Sequence, residues 1–337
     1  MKKIAVLCLA LLGIMACKDK SVKNETIPDV GESVGVAVHT PLKTYAEISI
    51  KEGGEWVGRK YVGGDGFKNV QELEVPKNHT DHSFFIRYEG PGWENNQIGY
   101  RLYLDWRNAI DIYGKKVDSL VLPYVGQDGF DSYHEPADWG QDILKAGKSM
   151  GIGGYGRLVN DTVAHFRNVD NTFVQIENTE SNSTVYIDYK GWETGNESID
   201  LDATLSIFKE DRYTLATLTP SKAISGICTG IVKFQDIALK KKEGIKWGYI
   251  ATYGAQTLVN DTDKLGMAIF YRIDQVAEQK EGINDHLVVF KPTTDKIAYY
   301  LLGAWEQEPN GIKDEASFIL DLDKKLERLN TTNSLNL

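Results

Sequence analysis

Alternation of apolar and polar residues with a period of two runs through most of this chain and constrains its fold more than any other feature. Residues 45–50 and 56–61 alternate in this way on either side of Gly53-Gly54, a dipeptide typical of hairpin turns. Similar runs, including residues 83–88, recur at short intervals, with turn residues between them. Because no long helical pattern interrupts them, the sequence predicts an all-β fold, a large β-sandwich, rather than alternating strands and helices.

A helical pattern is clear only near the C-terminus. Phe318, Ile319, Leu322, Leu326 and Leu329 fall on one face of a 3.6-residue repeat, and charged residues occupy the other face. We therefore expect one short C-terminal helix that packs on the sandwich or covers an edge of a sheet.

The N-terminus has the pattern of a targeting signal. Lys2 and Lys3 precede an apolar run at 4–14, which is too short to span a bilayer and is followed by Met15-Ala16-Cys17. A cysteine directly after a small residue resembles a bacterial lipoprotein signal, so we expect cleavage before Cys17 and lipidation of that residue. An ordinary secretion signal is the alternative. The chain then divides into a lipoprotein signal peptide (1–16), a lipidated tether (17–32) and a single domain (33–337).

The cysteines of the mature chain predict no internal disulfide. Cys8 is lost with the signal and Cys17 is acylated, which leaves Cys228 in the apolar run 227–232. We expect Cys228 to be a buried structural thiol rather than a nucleophile.

The charge of the chain limits its partners. The chain has 38 Lys and Arg against 48 Asp and Glu, and loss of Lys2 and Lys3 with the signal changes the net charge from −10 to −12. Such a chain lacks the basic stripe that nucleic-acid binding needs. An anionic ligand would have to bind in a local basic pocket, and the arginines around 93–107 are the ones that lie near aromatic residues.

The first segment rich in functional side chains is residues 88–108. A loop with Gly and Pro leads into a strand on which Arg101, Tyr103, Asp105 and Arg107 share the same parity, and so point to one face. The functional interpretation is a binding face whose arginines clamp a carboxylate or sulfate. The alternative is a structural ladder of ion pairs.

The second such segment, 133–154, is more polar than a core strand. His134, with Tyr133, is a candidate acid/base pair because histidine titrates near neutral pH. The alternative is a hard metal ion held mainly by oxygen ligands. The residues of that set are His134, Glu135, Asp138 and Asp142. The signatures of serine hydrolases, zinc peptidases and phosphate-binding loops are absent from the sequence.

These segments, with a third at 304–310, resemble the family catalogued as domain of unknown function 4861, made up of secreted and lipid-anchored proteins of polysaccharide-degrading Bacteroidota. The similar stretches are Gly-Trp-Glu…Gly-Tyr-Arg-Leu-Tyr-Leu-Asp-Trp-Arg-Asn-Ala at 92–109, Tyr-His-Glu…Asp-Trp-Gly-Gln-Asp…Leu-Lys-Ala-Gly-Lys-Ser at 133–149 and Ala-Trp-Glu-Gln-Glu-Pro-Asn at 304–310. The resemblance implies a mutarotase-like β-sandwich, or supersandwich, and a role in carbohydrate processing.

The activity that the resemblance implies is that of an oligosaccharide dehydratase in ulvan breakdown. Such a hydro-lyase removes water from a non-reducing-end glucuronate or iduronate and leaves a 4,5-unsaturated uronate. Three alternatives stay open: a polysaccharide lyase, a glycoside hydrolase acting on anionic algal glycans, and a non-catalytic glycan-binding lipoprotein.

We place the roles of such an elimination on the resembling segments. His134 and Tyr133 are the expected acid/base pair, and Arg101 or Arg107 is expected to neutralise the uronate carboxylate as the enolate develops. Tryptophans would stack on sugar faces, and polar side chains would bind hydroxyl or acidic groups. The expected substrate-binding residues are Trp93, Asn95, Asn96, Trp139, Lys145 and Trp305.

The same interpretation predicts the partners and the location of the protein. We expect a monomeric outer-membrane lipoprotein, facing the periplasm or the cell surface, that binds an anionic oligosaccharide and touches the membrane only through its lipid. The sequence identifies no definite cofactor, and a bound divalent cation such as calcium is an open alternative.

Overall fold

The computed structural model describes residues 43–128 and 132–336, so the predicted signal peptide, the tether and Cys17 lie outside the described residues. Within these ranges the chain forms twenty strands and one α-helix, α1 (Glu315–Thr332). The strands, in chain order, are β1 (Thr44–Val57), β2 (Lys60–Val70), β3 (Glu72–Glu74), β4 (Gly92–Asn95), β5 (Ile98–Leu102), β6 (Ile110–Lys115), β7 (Gly140–Asp142), β8 (Ile152–Val159), β9 (Thr162–Ala164), β10 (Asn171–Asn178), β11 (Asn182–Thr194), β12 (Glu197–Phe208), β13 (Tyr213–Pro220), β14 (Ile227–Val232), β15 (Lys240–Glu243), β16 (Trp247–Ala255), β17 (Lys264–Arg272), β18 (Val276–Glu281), β19 (Asp285–Phe290) and β20 (Ile297–Trp305). Short 3-10 helices span Arg87–Glu89, Leu122–Tyr124, Ser132–His134 and Ile273–Gln275.

The strands form three antiparallel sheets. The six-stranded sheet has the order β2-β1-β4-β5-β6-β7, and the nine-stranded sheet has the order β15-β16-β17-β20-β13-β12-β11-β10-β3. A five-stranded sheet has the order β18-β19-β14-β8-β9. In the ladder between β5 and β6, Arg101 is directly opposite Asp111.

The main core lies between the six-stranded and nine-stranded sheets. Trp93 on β4 is buried there and donates its indole N–H to the hydroxyl of Thr214 on β13, at 2.9 Å. Gly303 on β20 allows a close approach, because a Cβ at this position would lie 2.9 Å from the side chains of Ile98 and Ile112. The two sheets therefore pack face to face, which confirms the predicted all-β, sandwich-like class.

The C-terminal helix covers a second core, on the other side of the nine-stranded sheet. Asp314 caps it by accepting a hydrogen bond from the Ser317 N–H at 2.8 Å. Its buried residues include four of the five that the sequence placed on the apolar face: Phe318, Leu322, Leu326 and Leu329. The predicted C-terminal helix is confirmed. Among the described residues, no helix combines the length and the apolar character needed to cross a membrane.

Two local predictions are wrong. The first hairpin turns at Gly58-Arg59, whereas Gly53-Gly54 lies within β1 at a shift of register. Gly53 has a φ of 76°, which glycine adopts without strain, so this pair serves a bulge rather than a turn. Residues 83–88 contain an isolated bridge at Ile86 and the beginning of a 3-10 helix instead of a strand.

Cys228 is a packing residue, as predicted. It is fully buried in β14, and burial raises the pKa of its thiol above the ordinary value. A buried thiol that keeps its proton is a poor nucleophile.

Candidate functional site

The six-stranded sheet turns a polar face away from the core. On β5 the core-facing Tyr100 and Leu102 alternate with Arg101, which therefore points to the opposite face together with Asp111 of β6. The segments 86–90, 117–128 and 132–139 contribute buried aromatic and aliphatic residues next to this face. Ionisable side chains that an open sheet would expose to water are consequently buried.

Five side chains on or beside this face, four of them buried, form what we call the acid–base cluster: Arg101, Asp111, Tyr133, His134 and Asp142. The Arg101 guanidinium donates from Nη2 to Asp111 Oδ2 at 3.0 Å and to Asp142 Oδ2 at 2.8 Å, and from Nη1 to the Tyr133 hydroxyl at 3.0 Å. The side chains of Arg101, Asp111 and Asp142 are each 1% exposed. One cation is therefore shared by two buried carboxylates.

The protonation of this cluster follows from its burial. Burial, and then the charge of Asp142, raise the pKa of Asp111 to about 7, and Arg101 opposes the shift. Burial likewise raises the pKa of Tyr133 to about 12, so that its hydroxyl keeps its proton at neutral pH. The cluster can hold or release a proton on Asp111 near neutral pH, while Tyr133 remains a donor.

His134 connects this cluster to the surface. Its Nδ1 lies 3.1 Å from Asp142 Oδ2, and its side chain is 37% exposed. Its ring also packs against Tyr133, with the two centroids 4.4 Å apart. A carboxylate on one ring nitrogen fixes the tautomer of a histidine, which is the arrangement of many catalytic acid/base residues. The structure therefore brings together the predicted residues His134, Tyr133 and Arg101.

Arg107 lies beside this cluster but is held by other carboxylates. Its guanidinium donates to Asp81 at 3.0 Å, to Glu89 at 3.1 Å and, through Nε, to both oxygens of Asp105 at 2.9 Å. The aromatic ring of Tyr103 contacts both guanidinium groups, 3.9 Å from Arg107 and 4.4 Å from Arg101. Both arginines therefore form the structural ion pairs that the sequence left open as the alternative to an anion clamp.

Three of the predicted substrate-binding residues are not on the surface, and these predictions are wrong. Trp93 and Trp305 are fully buried, and Trp305 donates its indole N–H to Asp263 at 2.6 Å. Asn95 is 1% exposed, and its amide donates to the backbone oxygens of Phe208 and Asp211. A ring that stacks on a sugar needs an exposed face, whereas these side chains fill the core and tie β4 to the loop before β13.

The other predicted binding residues are accessible. Trp139 is half-buried and packs edge-on against Tyr113, with the ring centroids 6.0 Å apart. Asn96 is partly exposed in the turn between β4 and β5, and Lys145 is exposed three residues after β7.

The predicted metal set is not brought together. Among residues 43–128 and 132–336, the group of three or more metal-ligating side chains whose ligand atoms all lie within 4.8 Å of one another is Asp81, His82 and Glu89, not the predicted four. Arg107 donates to the carboxylates of both Asp81 and Glu89, so a positive charge already occupies a position next to them. This competition counts against a divalent cation at that position.

The fold assembles a second polar region, next to Trp106, that the predicted site residues do not include. Arg167 stacks on the Trp106 ring, with its guanidinium carbon 3.9 Å from the ring centroid, and His165 meets the same ring edge-on. This stack contributes to the walls of two cavities, of about 470 and 260 Å³. Trp106 and Arg167 are far apart in the chain, so only the fold reveals their contact.

The fold and the site define an all-β, sandwich-like protein. On the outer face of one sheet it has a buried ion-pair cluster, from which one histidine reaches solvent. The chain belongs to the family described as a domain of unknown function (DUF4861), whose model matches residues 19–333. No curated protein matches the chain.

Proposed function

We propose that this protein is a carbohydrate-active dehydratase that removes water from the non-reducing-end uronate of ulvan-type sulfated oligosaccharides. The observation that supports this most is the exposed imidazole of His134, held by the buried carboxylate of Asp142. Abstraction of a weakly acidic C–H proton needs a positioned base, and imidazole is the side chain that most often serves as a general acid/base.

In the mechanism that we propose, His134 acts on the substrate through Nε2, since Nδ1 faces Asp142. Nε2 takes the C5 proton, the electron pair of that bond becomes the C4–C5 double bond, and the C4–O4 bond breaks. The protonated imidazole then returns its proton to the departing hydroxide, so that water leaves and His134 is neutral again. In glucuronate the C5 hydrogen and O4 lie on the same face of the ring, so one residue can serve both atoms.

Tyr133 has a different role in this proposal from the one that the sequence suggested. It is 2% exposed and accepts a hydrogen bond from Arg101, so it lies behind His134 rather than against a ligand. We assign Tyr133, Asp142 and Arg101 to positioning the His134 ring.

In iduronate the C5 hydrogen and O4 are on opposite faces, and a single base cannot serve both, so we expect glucuronate to be the better substrate.

The test is incubation with glucuronate-terminated ulvan oligosaccharides, followed by mass spectrometry and by the absorbance of the unsaturated uronate. A dehydratase keeps the chain length and loses one water. We expect His134→Gln to lower the rate by about 10² to 10⁴-fold, the usual contribution of a positioned acid/base. His286→Gln is the matched control, because His286 pairs with Glu281 at 2.8 Å in the five-stranded sheet.

Other outcomes would contradict the proposal. Shorter fragments would indicate a polysaccharide lyase or a glycoside hydrolase, and binding without any product would indicate a glycan-binding lipoprotein. A rate for His134→Gln close to that of the wild type would remove His134 from the mechanism.

We also propose that Cys17 carries a lipid and anchors the protein to the outer membrane. This rests on the sequence pattern around Ala16-Cys17 alone. Cys17→Ser should release the protein from the membrane fraction of the cell, and retention of this variant there would contradict the anchor.

A further inference from the structure

The Trp106–Arg167 stack lies between two cavities whose charged side chains differ. The larger one, of about 470 Å³, has Lys148 and Arg167 in its wall together with the acids Asp161, Glu193 and Asp285. Asp285 is 2% exposed, accepts a hydrogen bond from the Met150 N–H at 2.9 Å and has no ion-pair partner in the described part of the chain. Cations and acids are therefore mixed in the wall of the larger cavity.

The smaller cavity, of about 260 Å³, is lined by Arg59, Lys77 and Arg167, and we call it the basic cavity. No carboxylate of residues 43–128 or 132–336 forms an ion pair with any of these three cations. Arg107, the neighbour of Trp106 in the sequence, differs because three carboxylates pair with it. Asp105 also lines this cavity, but its carboxylate is paired with the guanidinium of Arg107.

Two neighbouring groups settle the charge and the shape of the basic cavity. Burial lowers the pKa of His79, in its wall, to about 4, so this imidazole is neutral at neutral pH and leaves the charge to the three cations. Arg59 donates from Nη2 to the His79 carbonyl at 3.2 Å, which fixes its direction at the edge of the cavity.

The contact with Trp106 also orients the Arg167 side chain before a ligand binds. The guanidinium carbon of Arg167 lies 3.9 Å from the centroid of the Trp106 ring, and the planar fork of its N–H donors matches the oxygens of a carboxylate or sulfate. The stacking restricts the side chain before binding, which lowers the entropy lost on ordering it. Trp106 adds an apolar surface for the C–H groups of a sugar.

We propose that the basic cavity binds the carboxylate or the sulfate ester of one residue of an anionic oligosaccharide. At about 260 Å³ it is slightly smaller than the roughly 300–1,000 Å³ of a complete small-molecule site, which suits one charged sugar rather than a whole chain. That the ligand is a saccharide rests on the proposed function, whereas the anion site itself does not depend on the elimination reaction.

The test is isothermal titration with three probes: a glucuronate-terminated sulfated ulvan tetrasaccharide, its desulfated form and its carboxyl-reduced form. The His134→Gln background prevents consumption of the probes. We expect Arg167→Ala to weaken binding of the sulfated tetrasaccharide at least tenfold, or about 1.4 kcal/mol, and Arg167→Lys to lose less because it keeps the charge. Loss of binding on desulfation assigns the cavity to sulfate, and loss on carboxyl reduction assigns it to the uronate.

The matched control is Arg272→Ala, which removes an exposed arginine that is already paired with Asp274. Affinity of Arg167→Ala within twofold of its parent, or no binding of any probe by the parent, would overturn the inference. Binding that depends on Arg167, in a protein whose wild type makes no unsaturated product, would leave the anion site intact and remove the dehydratase proposal. Turnover with a KM that is unchanged in Arg167→Ala would support the dehydratase proposal and remove the anion site.

Discussion

Two groups of cations in this protein differ in whether protein carboxylates already pair with them. Arg101 and Arg107 lie on the outer side of the six-stranded sheet, and two or three protein carboxylates hold each of them. Arg59, Lys77 and Arg167 line the basic cavity and have no such partner among the described residues. Arginines near aromatic residues in a sequence therefore do not identify an anion receptor, because the receptor is the set that the fold leaves unneutralised.

The physical reason for the difference is desolvation. A charge that packing removes from water is tolerated only with a partner, since its hydration is lost. Arg101 on β5 is buried among residues of the segments 117–128 and 132–139, and Asp111 and Asp142 provide the compensating charge. Arg167 keeps contact with water and with the Trp106 ring, so it needs no carboxylate.

The largest expected effect is that of Arg101→Ala. Removing this guanidinium leaves Asp111 and Asp142 buried without a cation, and the loss of one partner of a buried pair usually costs about 3–5 kcal/mol. We expect a loss of this size in the free energy of unfolding, measured by urea denaturation.

A variant that removes the whole set distinguishes pairing from packing. Arg101→Met combined with Asp111→Asn and Asp142→Asn leaves no unpaired charge, so it should be more stable than Arg101→Met alone. If the triple variant were the less stable of the two, burial of an unpaired charge would not explain the cost.

Asp285 extends the comparison to an acid that is buried without any cation, and its effect is intermediate. Burial raises the pKa of Asp285 to about 7, from an unfolded value near 3.9. Between about pH 4 and pH 7 the folded state therefore binds more protons than the unfolded state, and the stability falls as the pH rises. We expect Asp285→Asn to remove a slope of up to roughly 1.4 kcal/mol per pH unit in this window.

Urea denaturation at several pH values measures this slope. Asp295→Asn, at an exposed aspartate, is the control and should leave the slope unchanged. An unchanged slope in Asp285→Asn would mean that Asp285 is ionised in the folded state, and that a buried acid here does not need to keep its proton.

The sequence predicted the part of the structure that local patterns determine. Period-two alternation gave the all-β class, and the 3.6-residue repeat gave α1 with its apolar face. Tyr133 and His134 are neighbours in sequence, so their proximity was certain. Arg101 was identified, but its partners were not, because the contact of Asp111 with Arg101 depends on the register of β5 and β6.

The errors at the site have one physical cause, the side of the sheet on which a residue lies. Glu94 of β4 is paired with Lys115 of β6 on the polar face, so its neighbour Trp93 must face the core. Local alternation shows that these residues differ in direction but not which direction is inward. The pairing of Trp106 with Arg167 depends on long-range packing, for which the sequence contains no local signal.

The smallest expected effect on stability is that of Arg167→Ala. The side chain is exposed and has no ion pair in the described residues, so its removal costs only its contact with Trp106, about 0.5–1 kcal/mol for an exposed cation–π pair. The free energy of unfolding should therefore stay within about 1 kcal/mol of the wild type, by the same urea measurement as for Arg101→Ala. A loss of about 3 kcal/mol in the free energy of unfolding would mean that Arg167, like Arg101, is paired with groups of the protein. A small loss, together with at least a tenfold weaker affinity for the sulfated tetrasaccharide, would show that the charge of Arg167 is reserved for a ligand.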